Sequence, residues 1–161
     1  TAVPLAMGEL FTHPLEWKTI VQNQWIDFIR CHLSDIGGLT PARKVAAFCE
    51  QYQVRTAWHG PNDLSPIGMA AQMHLDLCSP NFGIQEFAGF NEAEEEVFPG
   101  CPQVRNGYAY LNDKPGIGVD FDEKAAAKSL RRTCGRQQSA FPIPGYSCRH
   151  RWTYLPEDIH K

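Results

Sequence analysis

Four short apolar, β-forming runs punctuate the first ninety residues, and each of them closes on a polar side chain. The runs lie in TAVPLAMGELF, WIDFIRCHLS, VRTAWHG and FGIQEF, and the residues at their ends are Glu9, Arg30, His59 and Glu86. Helix signals separate them. Pro14 suits the first turn of HPLEWKTIVQNQ, with Trp17, Ile20 and Val21 on one face. Gly37-Gly38 breaks the second run, and Thr40-Pro41 reads as N-cap and first helical residue before the stripe Val45, Phe48, Cys49, Tyr52. Ser65-Pro66 opens a third helix whose inner face is Ala70, Met73 and Leu77, until Pro80 stops it. Strands joined through helices run parallel with right-handed crossovers, so the class is α/β. A small open sheet is one solution. Yet there is no GxGxxG and no phosphate loop, and a row of polar strand ends suits a (β/α)8 TIM barrel, whose site is built at one face from such ends. A whole barrel takes about 250 residues, so 161 residues predict about half of one.

Composition narrows the function classes. A net charge of -3 and a pI near 6.0 create no field that gathers nucleic acid or an anionic membrane. The longest apolar runs fall short of the ~20 residues of a membrane span, and Thr1 opens no signal peptide, so a soluble, cytoplasmic chain is expected. The six cysteines have no tight spacing, and several sit in apolar patterns where a reduced thiol packs as a small hydrophobe. Downstream, the run Glu92 to Glu96 reads as a solvated acidic loop, GYAYL as an extended excursion, and a last helix begins at Asp120 or Asp122. The stretch Gly116 to Gly118 is too short to cradle a phosphate. Residues 129–161 hold six Lys or Arg against two acids, so an irregular, divergent basic tail is expected after a 1–128 unit of about four strand/helix repeats plus the excursion. Cys134, Cys148, His150 and His160 lack the CxxC knuckle that would specify zinc.

In order, MGELF, FIRCHLSDIGGLTP, YQVRTAWHGPNDLSPIGMAA, PNFGIQEF and DKPGIGVDFDEKAAAK resemble the C-terminal half of enolase-superfamily sugar-acid dehydratases. The resemblance is nearest to the mannonate dehydratase and starvation-sensing protein group and covers roughly residues 1 to 128. It implies a magnesium ion, Mg2+, held by three strand-end carboxylates, of which Glu9 matches the third and the other two are expected upstream of Thr1. It implies a catalytic role for His59 at the HGP motif, as the acid that helps a β-hydroxyl leave. Asp63 matches an aspartate that hydrogen-bonds near that histidine or the substrate, and Arg30 and Glu86 match substrate-facing groups. The implied activity is magnesium-dependent dehydration of an acid sugar, of mannonate or gluconate type, to a 2-keto-3-deoxy acid through an enediolate. The implied partners are the acid sugar and the N-terminal half of the barrel, in this or another chain. Open strand edges also predict homo-oligomers.

Each residue has a plainer reading beside the implied one. Glu9 and Glu86 would serve as solvated strand-end acids, Arg30 as half of a structural ion pair, His59 as a loop hydrogen-bond donor, and Asp63 as an N-terminal helix residue favoured by the dipole. His32 shares a strand side with Arg30 and has no assigned role, while Trp58 is expected to shape the pocket beside His59. Without the upstream metal ligands and the opposing acid/base residues, the alternative is a catalytically inactive fragment or remnant that acts as a binding or structural protein.

Overall fold

Pairing of three very short strands sets the architecture of the computed structural model, which describes residues 2–129. Strands β1 (Ala6–Met7), β2 (Phe28–Ile29) and β3 (Arg55–Thr56) lie parallel in that order. The register places Ala6, Phe28 and Arg55 in one row and Met7, Ile29 and Thr56 in the next. The run FGIQEF, expected as a fourth strand, contributes one parallel bridge from Phe82 to Thr56 and no regular strand. Close approach there depends on Gly83, where a Cβ would lie 2.5 Å from the Phe28 ring and 2.8 Å from the Thr56 carbonyl.

Each connection runs through a helix with a recognisable start. Helix α1 (Pro14–Gln22) has Pro14 at its first position, and the His13 ring accepts the Leu15 N–H at 3.2 Å while Glu16 accepts the His13 N–H at 2.7 Å. Trp17 and Val21 are its buried residues, as the spacing predicts. Helix α2 (Leu39–Gln51) is capped by Gly38, not Thr40: a positive φ of 93° turns the chain there, and Thr40 already lies in the first turn. Helix α3 (Pro66–Leu77) begins as read, with the Ser65 hydroxyl accepting the Gly68 N–H at 3.1 Å. Its inner face differs from the expectation at one end, because Asp76 is buried and Leu77 is 80% exposed. The 3.6-residue period carries position 76, three on from Met73, inward instead of position 77.

The acidic run is not a loop. Asn91 caps helix α4 (Glu92–Val97), accepting the N–H groups of Ala93 and Glu94, and Glu94 accepts the Asn91 N–H at 2.8 Å. The excursion is a hairpin of β4 (Gln103–Arg105) and β5 (Tyr108–Tyr110), turned by Asn106-Gly107 at φ 51° and 80°. The described residues fall into two units, one ending at Phe121 and the other beginning at Asp122. In the second, residues 123–129 are helical, and Asp122 accepts the N–H groups of Lys124 and Ala125. The rest of the basic tail, with Cys134, Cys148, His150 and His160, lies outside the described residues.

The core of the first unit lies where α1 and α2 cover the sheet, around Val21, Ile29, Cys49, Val54 and a fully buried Trp58. Trp58 therefore packs inside and does not shape a pocket beside His59. Among the described residues the cysteines are free, and burial pushes the Cys31 and Cys49 thiols up to about 12, so they pack as apolar groups. No helix among the described residues is long and apolar enough to cross a membrane. Met7 in β1 is 52% exposed and Leu5 beside it 46%, so one edge of the sheet carries uncovered apolar side chains.

Removing side-chain volume from the central strand should cost more than removing a cap. Ile29→Ala is expected to lower the unfolding free energy by about 3 kcal/mol and Ser65→Ala by about 1 kcal/mol. Urea titrations with an unchanged slope would check this; equal losses would mean that Ile29 is not the packing centre.

Candidate functional site

The ladder brings the strand ends to one edge of the sheet. Arg30 donates its N–H to the Met7 carbonyl at 2.8 Å, and His59 donates its own to the Cys31 carbonyl at 2.9 Å. Past β1 the chain turns through Gly8 at φ 131°, with the Phe11 N–H on the Gly8 carbonyl, and that turn presents Glu9. Three of the sequence-predicted residues thus arrive together for a backbone reason, and Glu86 joins them on a segment whose Ala88 N–H donates to the Gly60 carbonyl at 3.1 Å.

Arg30 is the hub. Its Nη1 donates to Glu9 Oε2, and its Nη2 lies 2.9 Å from Glu86 Oε1 and 2.7 Å from Oε2. The Arg30 side chain is only 23% exposed, so the pairing is screened less than a surface bridge. Glu86 Oε2 also accepts the Gly60 N–H at 3.3 Å and stands 3.9 Å from His59 Nε2. Partial burial works to raise the Glu86 carboxyl, but the Arg30 hydrogen bond, the Gly60 N–H and the Arg30 charge outweigh it and hold the group below the ordinary carboxylate range. For His59, burial and the Arg30 charge lower the imidazole below its ordinary value, with Glu86 opposing in part. His59 is therefore neutral in neutral solution.

Two residues were missed. His32 packs edge-on against His59, ring centroids 5.7 Å apart at 73°, and its Nδ1 accepts the Ser34 N–H at 3.3 Å. The spacing Arg30-x-His32 carried that signal, since alternate residues share a side. Gly60 is the other: a Cβ there would lie 2.0 Å from the Glu86 carbonyl oxygen, so the glycine after the histidine lets two backbone segments meet. Asp63 is not a helix residue. It sits on the turn two residues ahead of the Ser65 cap, exposed and without a hydrogen bond or ion pair among the described residues.

The array can hold an anion beside a guanidinium, or exchange a proton at an imidazole flanked by a carboxylate. Glu9 Oε1 makes no hydrogen bond among the described residues and its side chain is 49% exposed, leaving one oxygen for a cation. Those residues hold no group of three or more His, Cys, Asp or Glu fit to enclose a metal on their own.

The profile of the family described as "Enolase C-terminal domain-like" matches residues 1–125. A D-galactonate dehydratase family member of Enterocloster bolteae is 78% identical over 128 residues, which cover 80% of this chain and 32% of the relative. A D-galactonate dehydratase family member of Streptomyces sp. is 46% identical over 154 residues, covering 96% of this chain and 32% of the relative, so that match reaches past residue 129. A solved enolase of Pantoea ananatis, described with bound D-gluconate and Mg, is 61% identical with a TM-score of 0.78, covering 80% of this chain and 31% of that one. The chain spans about a third of the length of the curated relatives it matches. The narrower mannonate dehydratase and starvation-sensing grouping rests on the sequence resemblance alone.

Acid should destabilise this edge twice. With Glu86 lowered, its contribution is present above the ordinary carboxylate value of 4.5 and lost as pH falls through the folded value. With His59 lowered, the unfolded imidazole takes its proton first, so stability also declines as pH drops below 6.5. Arg30→Met should flatten the His59 part and raise both groups, readable by NMR titration of the His59 ring; an unmoved His59 would remove Arg30 as a cause.

Proposed function

We propose a function from the premise that this chain belongs to the enolase C-terminal domain-like family, whose model spans most of it. Its fold is that of the C-terminal part of an enolase-type barrel. Completed by the rest of a barrel, in a longer polypeptide or a second chain, it removes water from an acid sugar and leaves a 2-keto-3-deoxy acid. A gluconate-type substrate is favoured over mannonate, because the Pantoea structure at 61% identity is described with D-gluconate and Mg. The observation that carries this reading is the strand-end array in which Arg30 joins Glu9 to Glu86 beside His59.

Magnesium fits one position of that array. The Glu9 carboxylate is a hard oxygen donor with a free Oε1, and the remaining ligands would come from outside the described residues. When bound, the ion supplies positive charge to the substrate carboxylate as its α proton is lost. The base that takes the α proton would come from the rest of the barrel, and the residues of this chain have the following roles. Arg30 fixes Glu9 and Glu86 in place at the strand ends. His59, held neutral by burial and Arg30, gains proton affinity when an anionic substrate enters, takes up a proton from solvent, and its Nε2 delivers that proton to the β-hydroxyl, which departs as water. Glu86 orients the imidazole and accepts substrate hydroxyls, and Asp63 offers a free carboxylate on the turn between His59 and α3.

A second reading, an inactive binding or structural remnant that self-associates, is favoured by one feature: the apolar edge at Leu5 and Met7 is exposed beside a site with too few ligands among the described residues. The test mixes this chain with a separately expressed complement, the part of the Enterocloster bolteae relative outside the matched region. Keto-acid formation from gluconate, mannonate and galactonate is then followed with magnesium. Turnover by the mixture and not by the chain alone is expected, with His59→Asn lowering kcat about 100-fold or more and Glu9→Gln abolishing the magnesium dependence. A mixture that associates and never turns over would establish the second reading.

A further inference from the structure

Neither ring nitrogen of His59 is held by a hydrogen bond among the described residues. Nδ1 is sealed from water and has no partner, and Nε2 stands 3.9 Å from Glu86 Oε2, an attraction across a gap too long for a hydrogen bond. The backbone on either side is fixed, since the His59 N–H donates to the Cys31 carbonyl at 2.9 Å and the Gly60 N–H donates to Glu86 Oε2 at 3.3 Å. That leaves the ring torsion. The χ2 angle of a histidine is broad, so an imidazole without a hydrogen bond takes its orientation from what packs against it. The ring against it is His32, edge-on at 5.7 Å between centroids and 73° between planes, within the range of edge-to-face pairs.

His32 is itself anchored. Its Nδ1 accepts the Ser34 N–H at 3.3 Å and lies 3.5 Å from Asp35 Oδ1, and its carbonyl accepts the N–H groups of Asp35 and Ile36 at 3.2 Å. The turn after β2 thus fixes one imidazole, and that ring stands as a wall beside the other. We infer that His32 is a positioning residue for His59: its ring, held by the turn, keeps the His59 imidazole in one orientation with Nε2 toward Glu86. The inference rests on the dehydratase reading above for its effect on turnover, and it gives a role to a residue which that reading leaves without one. A ring contact restricts rotation and neither gives nor takes a proton, so His32 limits where Nε2 points and leaves that nitrogen open to the substrate. The plainer role for His32 is in the turn alone, as the acceptor for Ser34.

Two substitutions separate the ring from the turn. His32→Phe keeps an aromatic edge and removes the acceptor for Ser34, whereas His32→Asn keeps a short acceptor and removes the ring. In the full chain, nuclear Overhauser contacts from the His59 Hδ2 and Hε1 protons should define one ring orientation in the unmodified protein and in His32→Phe, and two exchanging orientations in His32→Asn. With the Enterocloster complement and magnesium, His32→Asn should lower kcat about tenfold or more at an unchanged KM, and His32→Phe should keep both near the unmodified values. Two orientations in the unmodified chain overturn the positioning role without any variant. A single orientation in His32→Asn, a kcat that it leaves unmoved, or losses in His32→Phe that match it overturn the role as well. If the unmodified mixture never turns over, the dehydratase reading falls and the Overhauser contacts alone decide the ring contact.

Discussion

A single guanidinium permits the strand-end site to exist. Glu9 and Glu86 arrive from opposite sides of β2, one on the turn after β1 and the other on the segment beyond β3, and Arg30 at the end of the middle strand reaches both. Two carboxylates brought this close without a cation would repel, and one would take up a proton. With Arg30 between them, Glu86 is held below its ordinary range, and the same positive charge helps keep His59 neutral. The order β1, β2, β3 is therefore an electrostatic requirement as well as a pairing pattern, because only the middle strand can supply a cation to both neighbours.

Much of this could be read from the sequence because the signals were local. Apolar runs ending on Glu9, Arg30, His59 and Glu86 identified the array, and Ser65-Pro66 gave a helix start to the residue, since a capping hydroxyl and a ring-fixed φ act on their own neighbours. Local signals also went unread. Asn91 with Glu94 three residues on is a capping box, and Asn106-Gly107 is a hairpin turn, but the acidic charge of one segment and the shortness of β4 hid them. Thr40-Pro41 reads as a start because a side-chain cap is the commoner device, while the positive φ that makes Gly38 the cap belongs to the folded loop.

Other features had no local signal. Residues 83–87 have the composition of a strand, but among the described residues this segment meets β3 through the single Thr56–Phe82 bridge and forms no regular strand. His32 acquired a place only when the fold set its ring against His59. Asp76 is the clearest case. In HLDL it looks like a polar residue one step off the apolar stripe, and the helical phase that buries it depends on how α3 lies against residues 82–87.

The two acids, Glu86 and Asp76, belong to one physical account with opposite outcomes. Both lose water, and desolvation alone would raise both. Glu86 has a guanidinium and a backbone N–H within reach, so its charged form prevails; among the described residues Asp76 has neither, and its carboxyl is driven toward the neutral form. The difference lies in whether donors stand within reach of the carboxylate. Donors for the strand-end array are internal to this chain, which makes that array well formed in isolation. Asp76 is enclosed without such a donor among the described residues, so its charge is what burial removes.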